Sequence, residues 1–344
     1  MLITSTPVTP TISTSSIASP SMWLLTIAGV IALFVVDFVL TRRPHDPTFR
    51  EAAVWSAFYI AVPIAFGAWL WLAHGSAQGL EYYTGYVVEK SLSVDNLFIF
   101  IVLLGAFAVP RELRQRVLLV GVAGALLLRA LFIALGAQLI ATFSWTFLLF
   151  GGILLATAVK VGRDALTHAD HVIDVRQLRS VRLVRRFYPV SDDYAGTRMT
   201  VRQSGRQALT PLALVAVAIL ATDVVFAVDS VPAVYGITGD PYLVFVTNAF
   251  ALLGLRALYF LLENALSALV HLGHGLAIIL AFIGIKLVLH WAHGMWTGVP
   301  EIPTPVSLAV IVGVLLTVTV TSIGSRRRTA AAEAPRDLDR QPRA

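Results

Sequence analysis

The chain of 344 residues contains no cysteine. This absence excludes disulfides, zinc ribbons, iron–sulfur clusters and thiolate chemistry. Charge is also scarce, because only 13% of the residues are Asp, Glu, Lys or Arg, whereas an ordinary soluble domain has about 25%. Hydrophobic residues make up 57%. This balance argues against a soluble enzyme, a secreted domain and a nucleic-acid-binding protein, although the net charge is +6.

The hydrophobic residues fall in long runs, which predict an all-α polytopic membrane protein. Runs of about 18 or more residues are long enough to cross a hydrocarbon layer of about 30 Å. We expect about nine transmembrane helices, at 22–40, 52–73, 81–108, 117–138, 143–162, 210–235, 242–262, 275–292 and 305–324. Residues 1–21 lack charge and are predicted to form a disordered extracytoplasmic leader.

The distribution of basic residues predicts the orientation, because Lys and Arg in short loops stay on the cytoplasmic side. Arginines follow the first and third helices, and nine more occur from Arg163 to Arg206. The alternate loops have no Lys or Arg; they are 74–80, 139–142, 236–241 and 293–304. We therefore expect a cell-membrane protein with its N-terminus outside and its 325–344 tail in the cytoplasm.

The segment 163–209 is predicted to be a basic cytoplasmic loop. Its run from Arg176 to Arg186 interleaves basic residues with Val and Leu, so it could contact anionic lipid or cytoplasmic protein partners. We favour a solvated loop. His168 and His171 in this loop could bind metal, but we favour no such role.

Two segments share a pattern of acidic residues. The third predicted span contains Glu89 and Asp95, and the sixth contains Asp223 and Asp229. In both, five residues separate the carboxylates, Val precedes the second one, and a small hydrogen-bonding residue follows it, Asn96 or Ser230. The agreement indicates an internal repeat.

The repeat continues downstream in two further pairs of helices. Leu-Arg-Ala-Leu occurs around Arg129 and again around Arg256, and Ile-Leu precedes Lys160 and Lys286 at the same spacing. The predicted orientation makes the two units antiparallel, which is typical of secondary transporters. We therefore expect an inverted three-plus-three helix repeat, 81–162 and 210–292, with two accessory helices in 22–73 and a last helix at 305–324.

Ionisable residues inside the spans indicate a binding site. A charge at a helix centre costs about 2.5–3.5 kcal/mol on insertion scales, so these residues must pair, neutralise or bind something. All-oxygen ligands suit Mn²⁺, Ca²⁺ or Mg²⁺. The predicted metal ligands are Glu89, Asp95, Asn96, Asp223, Asp229 and Ser230. Possible supporting or charge-balancing residues are Lys90, Arg129, Lys160, Asn248, Arg256 and Lys286.

Helix geometry restricts how these ligands combine. Six residues along a straight helix advance about 9 Å and turn about 240°, so Glu89 and Asp95 cannot hold one ion unless the helix unwinds. Unwinding is credible in the sixth span, where Pro232 removes a backbone donor. We expect Asp95 and Asp229 to be the primary ligands, with Glu89 and Asp223 as an outer pair of ligands or proton carriers.

Other ionisable residues have simpler explanations. The basic residues could pair with the acids and only hold the bundle together, and we favour this for Arg129, Arg256, Lys160 and Lys286. Asp37 lies near the end of its helix, where an acid needs no special role. The pairs His271 with His274 and His290 with His293 have i, i+3 spacing, yet both lie near membrane surfaces.

At these motifs the chain resembles the TerC family of integral membrane proteins. The matching stretches are E-x-x-L-S-V-D-N at 89–96, A-T-D-V-V-F-A-V-D-S-V-P-A at 221–233, D-P-Y-L-V-F at 240–245 and N-A-F-A-L-L-G-L-R-A-L-Y-F at 248–260. The resemblance implies membership of a superfamily of cation and amino-acid exporters, export of Mn²⁺, and metal binding by the six predicted ligands. It implies no role for 163–209.

The function expected is export of a divalent cation, most of all Mn²⁺, by alternating access around a midplane carboxylate site, with coupling to protons as an option. The ion would be cargo, and no prosthetic group is implied. Export of a small amine or amino acid is an alternative, because paired acids could bind an ammonium. A second alternative is a membrane scaffold or tellurite-resistance component without transport. No nucleophile–base pair or nucleotide-binding loop favours an enzyme.

Overall fold

A computed structural model describes residues 16–40, 48–167, 179–191, 193–203, 206–262, 271–296 and 298–333. This part is helical apart from one short hairpin. The helices are α1 (Pro20–Leu40), α2 (Phe49–His74), α3 (Ser76–Ala106), α4 (Arg111–Thr142), α5 (Thr146–Leu166), α6 (Arg179–Phe187), α7 (Pro211–Tyr235), α8 (Pro241–Leu253), α9 (Leu255–Leu262), α10 (Leu272–Met295) and α11 (Thr304–Glu333). The antiparallel strands are β1 (Thr200–Gln203) and β2 (Arg206–Leu209).

Within the described residues, eight helical stretches are long and apolar enough to cross a membrane, with α8 and α9 counted as one. The helix α3 is not among them. It has 31 residues, but Glu81, Glu89, Lys90 and Asp95 make it less apolar than its neighbours. The prediction of an all-α multi-pass membrane protein is therefore confirmed, and the count of nine spans stays a prediction.

The helices begin where the sequence offers capping groups. The Thr48 hydroxyl accepts a hydrogen bond from the Glu51 backbone N–H at the start of α2. Thr210 and Asp240 cap α7 and α8 in the same way, and each is followed by a proline at the first helical position. Such caps satisfy backbone N–H groups that lack a partner in the first turn.

The seventh predicted span, 242–262, is found as one apolar stretch, Pro241–Leu261, but its helix is interrupted at Gly254, which separates α8 from α9. A Cβ on Gly254 would lie 2.9 Å from the Cβ of Tyr59, so the close approach of α2 requires glycine there. The helix α7 is instead continuous through Pro232. Because Pro232 lies within one turn of the end of α7, little of the helix follows it to be displaced.

The helix α3 lies in the interior of the bundle and contacts α2, α7, α8 and α11. Gly85 allows this packing, because a Cβ there would be 3.2 Å from Thr247 and 3.3 Å from Val234. Helices at corresponding positions of the two predicted repeats are in contact: α3 with α7, α4 with α8 and α9, and α5 with α10. The helix α1 is the least buried of the eight spans.

The predicted basic loop contains ordered structure. The helix α6 packs on α7 and buries Val181, and the β-hairpin also contacts α7. The Tyr194 hydroxyl donates a hydrogen bond to the Phe107 carbonyl at 2.8 Å, and burial raises the pKa of Tyr194. The segment is therefore attached to the bundle at the turn between α3 and α4. His168 and His171 lie outside the described residues.

The predicted leader, 1–21, ends against the bundle. Residues 1–15 lie outside the described residues. The Ile17 backbone N–H donates a hydrogen bond to Asp240 Oδ2 at 2.7 Å, and α1 already begins at Pro20. The residues that directly precede α1 are therefore held at the start of α8.

We expect Gly151→Ala to destabilise the protein. A Cβ on Gly151 would lie 2.9 Å from the Gly284 carbonyl oxygen and 2.8 Å from Val288 Cγ2, so α5 and α10 would have to separate. Overpacking of this kind typically costs about 1–3 kcal/mol. Unfolding of the purified protein in mixed micelles with increasing SDS would measure the change.

The neighbouring glycine provides a matched control. A Cβ on Gly152 would meet nothing within 4 Å, so Gly152→Ala should be neutral or slightly stabilising, because alanine favours a helix more than glycine. Equal destabilisation by the two substitutions would contradict the close packing of α5 on α10.

Candidate functional site

A cluster of charged and amide side chains, called here the central cluster, surrounds Arg129. The guanidinium of Arg129 on α4 is fully buried. Its Nη1 pairs with Glu89 Oε1 on α3 and donates to Asn248 Oδ1 on α8 at 3.0 Å. Its Nη2 pairs with Asp223 Oδ1 on α7 at 3.2 Å. One guanidinium thus joins side chains from three other helices.

Asn96 completes the central cluster. With its amide oriented to satisfy both ends, Asn96 accepts a hydrogen bond from Arg129 Nη2 at 3.0 Å and donates to the Leu92 carbonyl at 3.2 Å. The opposite orientation would place the amide N–H groups against donors. The amide of Asn248 is fixed in the same way by donation to the Val244 carbonyl at 2.9 Å. Both amides therefore present oxygen to the centre of the cluster.

The central cluster lies near the middle of the bundle. Glu89, Arg129 and Asp223 each have twelve or more residues of their own helix on both sides, which corresponds to about 18 Å. Glu89, Arg129, Asp223 and Asn248 each have 0% of their surface exposed. Charges in such a position are stable only when other groups replace their hydration.

The hydrogen bonding of the central cluster is incomplete. Glu89 Oε2, Asp223 Oδ2 and Arg129 Nε are buried without a hydrogen-bond partner among the described residues. The hydroxyls of Ser93 on α3 and Ser230 on α7 are also buried without a hydrogen-bond partner among the described residues. Two carboxylates face one guanidinium, so the pairs carry a net charge of −1. Buried polar atoms without partners are rare in folded proteins, and here they are mostly oxygens.

The second carboxylate of each motif lies elsewhere. Because α3 and α7 are continuous helices, Asp95 and Asp229 are about 9 Å further along and turned about 240° from Glu89 and Asp223. Asp229 is half-buried, and the side chain of Asp95 lies outside the described part of the structure. The pair that the structure brings together is thus the one that we expected to be outer, Glu89 with Asp223.

Arg256, the repeat counterpart of Arg129, lies outside the central cluster. Its Nε donates to Asp37 Oδ2 at 2.9 Å and its Nη2 pairs with Asp37 Oδ1, so α9 is joined to α1. Its Nη1 donates to Gln115 Oε1 at 3.4 Å. Both members of this two-point ion pair are more than nine-tenths buried. The interpretation of Asp37 as an acid without a special role missed this partner, which no sequence pattern links to it.

The three lysines lie in different surroundings. Lys90 donates a hydrogen bond to the Ala251 carbonyl at 3.3 Å, close to the interruption at Gly254. Lys160 on α5 is exposed. Lys286 on α10 has 9% of its surface exposed and faces a cavity. The two lysines at corresponding repeat positions therefore differ in burial.

A cavity of about 380 Å³, called here the end cavity, opens where α7 ends and α8 begins. Its polar lining includes Glu81, Thr238, Lys286, His290 and Glu301. Thr238 donates to Glu81 Oε2 at 2.7 Å, and His290 Nδ1 lies 2.7 Å from Glu301 Oε1. Glu81 and Glu301 were not among the predicted site residues. Glu81 lies just over two helical turns before Glu89 in the same predicted span. This spacing of two acids is the signal that could have identified Glu81 as a candidate.

The histidine pairs form no metal site in the described residues. His271 and His274 have ring centroids 6.0 Å apart, and His271 lies against Ser322. His293 Nδ1 is 2.6 Å from the Val299 carbonyl oxygen. Among the described residues, no three His, Asp or Glu side chains are grouped so that they could hold a metal ion. Arg129 occupies the space between the two carboxylates that come closest to such a group.

The fold and the central cluster define the class as a multi-pass α-helical membrane protein with paired charges inside its bundle. The family model of the integral membrane protein TerC family matches residues 74–330. The chain belongs to this family. The match includes α3 to α10 and hence the whole central cluster, whereas α1 lies before it.

Relatives match along almost the whole chain. An uncharacterized membrane protein of Mycobacterium tuberculosis is 42% identical over 323 residues, which cover 91% of this chain and 81% of the relative. An uncharacterized membrane protein of Myxococcus xanthus is 37% identical over 93% of this chain and 98% of its own length. A protein of Escherichia coli with the name "Putative membrane-bound redox modulator Alx" is 38% identical over 88% and 94%. No solved structure shows a significant match.

We expect Arg256→Met to destabilise the protein strongly, because it leaves the Asp37 carboxylate buried without its partner. Removal of one member of a buried ion pair typically costs about 3–5 kcal/mol. The double variant Asp37→Leu with Arg256→Met should recover much of this loss, since no buried charge remains. A double-mutant cycle of SDS-induced unfolding would measure the coupling, and strictly additive effects would contradict the pairing.

Proposed function

We propose that the protein exports a divalent metal cation across the cell membrane, with Mn²⁺ as the first candidate and Ca²⁺ as the second. The observation that carries this proposal is the central cluster. Glu89, Asp223, Asn96 and Asn248 direct four oxygen atoms to the two terminal nitrogens of the buried Arg129 guanidinium. Several of the neighbouring oxygens have no protein partner among the described residues.

The chemistry of these donors favours a hard or intermediate divalent ion. Carboxylate and amide oxygens are the ligands that Mn²⁺, Ca²⁺ and Mg²⁺ accept, whereas thiolates and thioethers select softer metals. Two carboxylates also balance the charge of one divalent ion. The resemblance to TerC proteins implies the same cargo, Mn²⁺, and the same direction, outward.

Alternating access would follow from an inverted repeat of α3–α5 and α7–α10. Contacts between corresponding helices support this arrangement, and Glu89 and Asp223 occupy equivalent positions in the two repeats. Rocking of one repeat against the other would open the central cluster to one side and then to the other.

The end cavity would be the release side. The positive-inside rule places the loops around it outside the cell, since they contain no Lys or Arg. Glu81 in its wall is eight residues from Glu89 on α3, about 12 Å along the helix axis. An ion leaving the central cluster in this direction would therefore meet another carboxylate.

Export of a small organic cation is the second candidate, and one observation favours it. The four oxygens of the central cluster already bind a guanidinium, that of Arg129. An amine or guanidine from the cytoplasm presents the same chemistry. A direct thiol-based redox role, which the name of the Escherichia coli relative could suggest, does not fit this chain because it has no cysteine.

We expect Glu89→Gln and Asp223→Asn each to reduce Mn²⁺ export by about tenfold or more, since supporting groups around metal ligands alone are worth about 10–100-fold. The measurement is ⁵⁴Mn flux in proteoliposomes that contain the purified full-length protein, with ⁴⁵Ca and labelled methylguanidinium in parallel. Faster flux of methylguanidinium than of either metal would favour the second candidate.

The control substitution is Asp193→Asn, which removes an exposed carboxylate far from the central cluster. It should leave the Mn²⁺ flux unchanged. Full flux in Asp223→Asn, with normal folding, would overturn the assignment of the central cluster as the ion site.

The absence of cysteine allows a clean test of the orientation. A single cysteine introduced as Gly239→Cys would face solvent at the end cavity, since nothing lies within 4 Å of its Cβ. We expect a membrane-impermeant maleimide to label it in intact cells. Arg198→Cys, exposed at the opposite end, should react only after the cells are opened, and the reverse result would invert the topology.

A further inference from the structure

Arg129 occupies the place at which the oxygen ligands of the central cluster converge. Its Nη1 and Nη2 contact Glu89, Asp223, Asn248 and Asn96. A divalent ion bound by the same oxygens could not share this position with a guanidinium. The ion and Arg129 are therefore alternatives at one set of ligands.

The geometry of Arg129 differs from that of a purely structural ion pair. A guanidinium has five N–H donors in a fixed fork, but Nε of Arg129 has no partner among the described residues, and each carboxylate leaves one oxygen without a partner. Arg256 provides the comparison, because both Nε and Nη2 of Arg256 engage the two oxygens of Asp37. Arg129 instead divides its contacts among four side chains, and each carboxylate engages it through one oxygen only.

Arg129 also joins the two predicted repeats. It lies on α4 and contacts Glu89 and Asn96 of the first repeat, and Asp223 and Asn248 of the second. Its counterpart Arg256 pairs instead with Asp37 of α1, which lies outside the predicted repeats, and donates to the amide of Gln115 on α4. A single arginine therefore serves the carboxylates of both repeats and leaves a net charge of −1.

We propose that Arg129 is an internal competitor of the exported cation: its guanidinium holds the ligand oxygens together when no ion is bound and withdraws when the ion enters. This inference rests on the proposed function. Replacement of the guanidinium by a divalent ion changes the net charge of the two carboxylates with their cation from −1 to zero. Simultaneous binding of both would give +1, so the arginine has to leave.

The exchange of the ion for the guanidinium keeps the two buried carboxylates paired with a cation at every stage. Without a cation, Glu89 and Asp223 would be two uncompensated charges in a dry interior, which is strongly unfavourable. The returning guanidinium avoids this unfavourable state, because the ion leaves and the ion pairs of Arg129 with Glu89 and Asp223 form again in the same step. Arg129 is thus a positioning residue: it holds the ligand oxygens in place between transport cycles, and it lowers the affinity of the central cluster for the exported cation.

The test compares binding and flux in Arg129→Gln. If the guanidinium occupies the ligands most of the time, the apparent Kd of the wild type is raised by the inverse of the free fraction. We expect Arg129→Gln to bind Mn²⁺ about tenfold or more tightly, as measured by electron paramagnetic resonance on the full-length protein in nanodiscs. Export of ⁵⁴Mn should fall by about tenfold, because release loses its replacement cation.

Stability gives a readout that a structural role would not produce. Arg129→Gln should be less stable than the wild type without metal, since two carboxylates remain unpaired, and Mn²⁺ should raise its Tm more than it raises that of the wild type. Arg129→Lys keeps one positive charge but lacks the forked guanidinium. Its affinity for Mn²⁺ should lie between that of the wild type and that of Arg129→Gln. It also serves if Arg129→Gln does not fold even with Mn²⁺ present.

Arg256→Gln is the matched control, because it removes a buried arginine at the equivalent repeat position. It should lower stability without tightening Mn²⁺ binding. Unchanged or weaker Mn²⁺ binding by folded Arg129→Gln and Arg129→Lys would overturn the competitor role while the proposed function stands. No Mn²⁺ binding by the wild type and by both Arg129 variants would overturn the proposed function as well.

Discussion

The removal of charge from water is the constraint on which this structure depends. Glu89, Asp223 and Arg129 are fully buried at the middle of a bundle that is otherwise apolar. Each would be strongly destabilising by itself, and the three are compatible only because one guanidinium reaches carboxylates on two helices. The requirement fixes the distance between α3, α4 and α7, so the same contact that neutralises charge also sets the position of the predicted ligands.

Close helix packing makes this arrangement possible. In a membrane, helices associate mainly through van der Waals contact between small residues and through polar contacts. Gly85 lets α3 approach α7 and α8, and Gly151 and Gly284 bring α5 onto α10. A second buried ion pair, Arg256 with Asp37, attaches α1. The bundle thus has one ion pair that attaches α1 and another at its centre that several helices share, where some polar atoms have no partner among the described residues.

Much of this architecture could be predicted from residues alone. Apolar runs located eight of the predicted spans with ends that differ by no more than six residues, because the thickness of the hydrocarbon layer requires a minimum length of apolar helix. The close approach of Tyr59 on α2 to Gly254, where the helix is interrupted, could not be foreseen, because the sequence does not show which helices lie side by side. Likewise, Pro232 suggested a broken helix, yet it falls so close to the end of α7 that the helix tolerates it.

The sequence by itself determined which residues are too polar for their surroundings: the acids of α3 and α7, the two repeat arginines, and Asn248. Each of these is anomalous within an apolar run, so composition and spacing are sufficient to find it. The tertiary structure decided the partners. Arg129 pairs with both Glu89 and Asp223, whereas Arg256 pairs with Asp37, which lies outside the predicted repeat. Pairing depends on which helix faces lie opposite one another at the same depth in the bundle. The packing of helices decides this, and it can join residues that are far apart in the sequence, such as Asp37 and Arg256, which are separated by 219 positions.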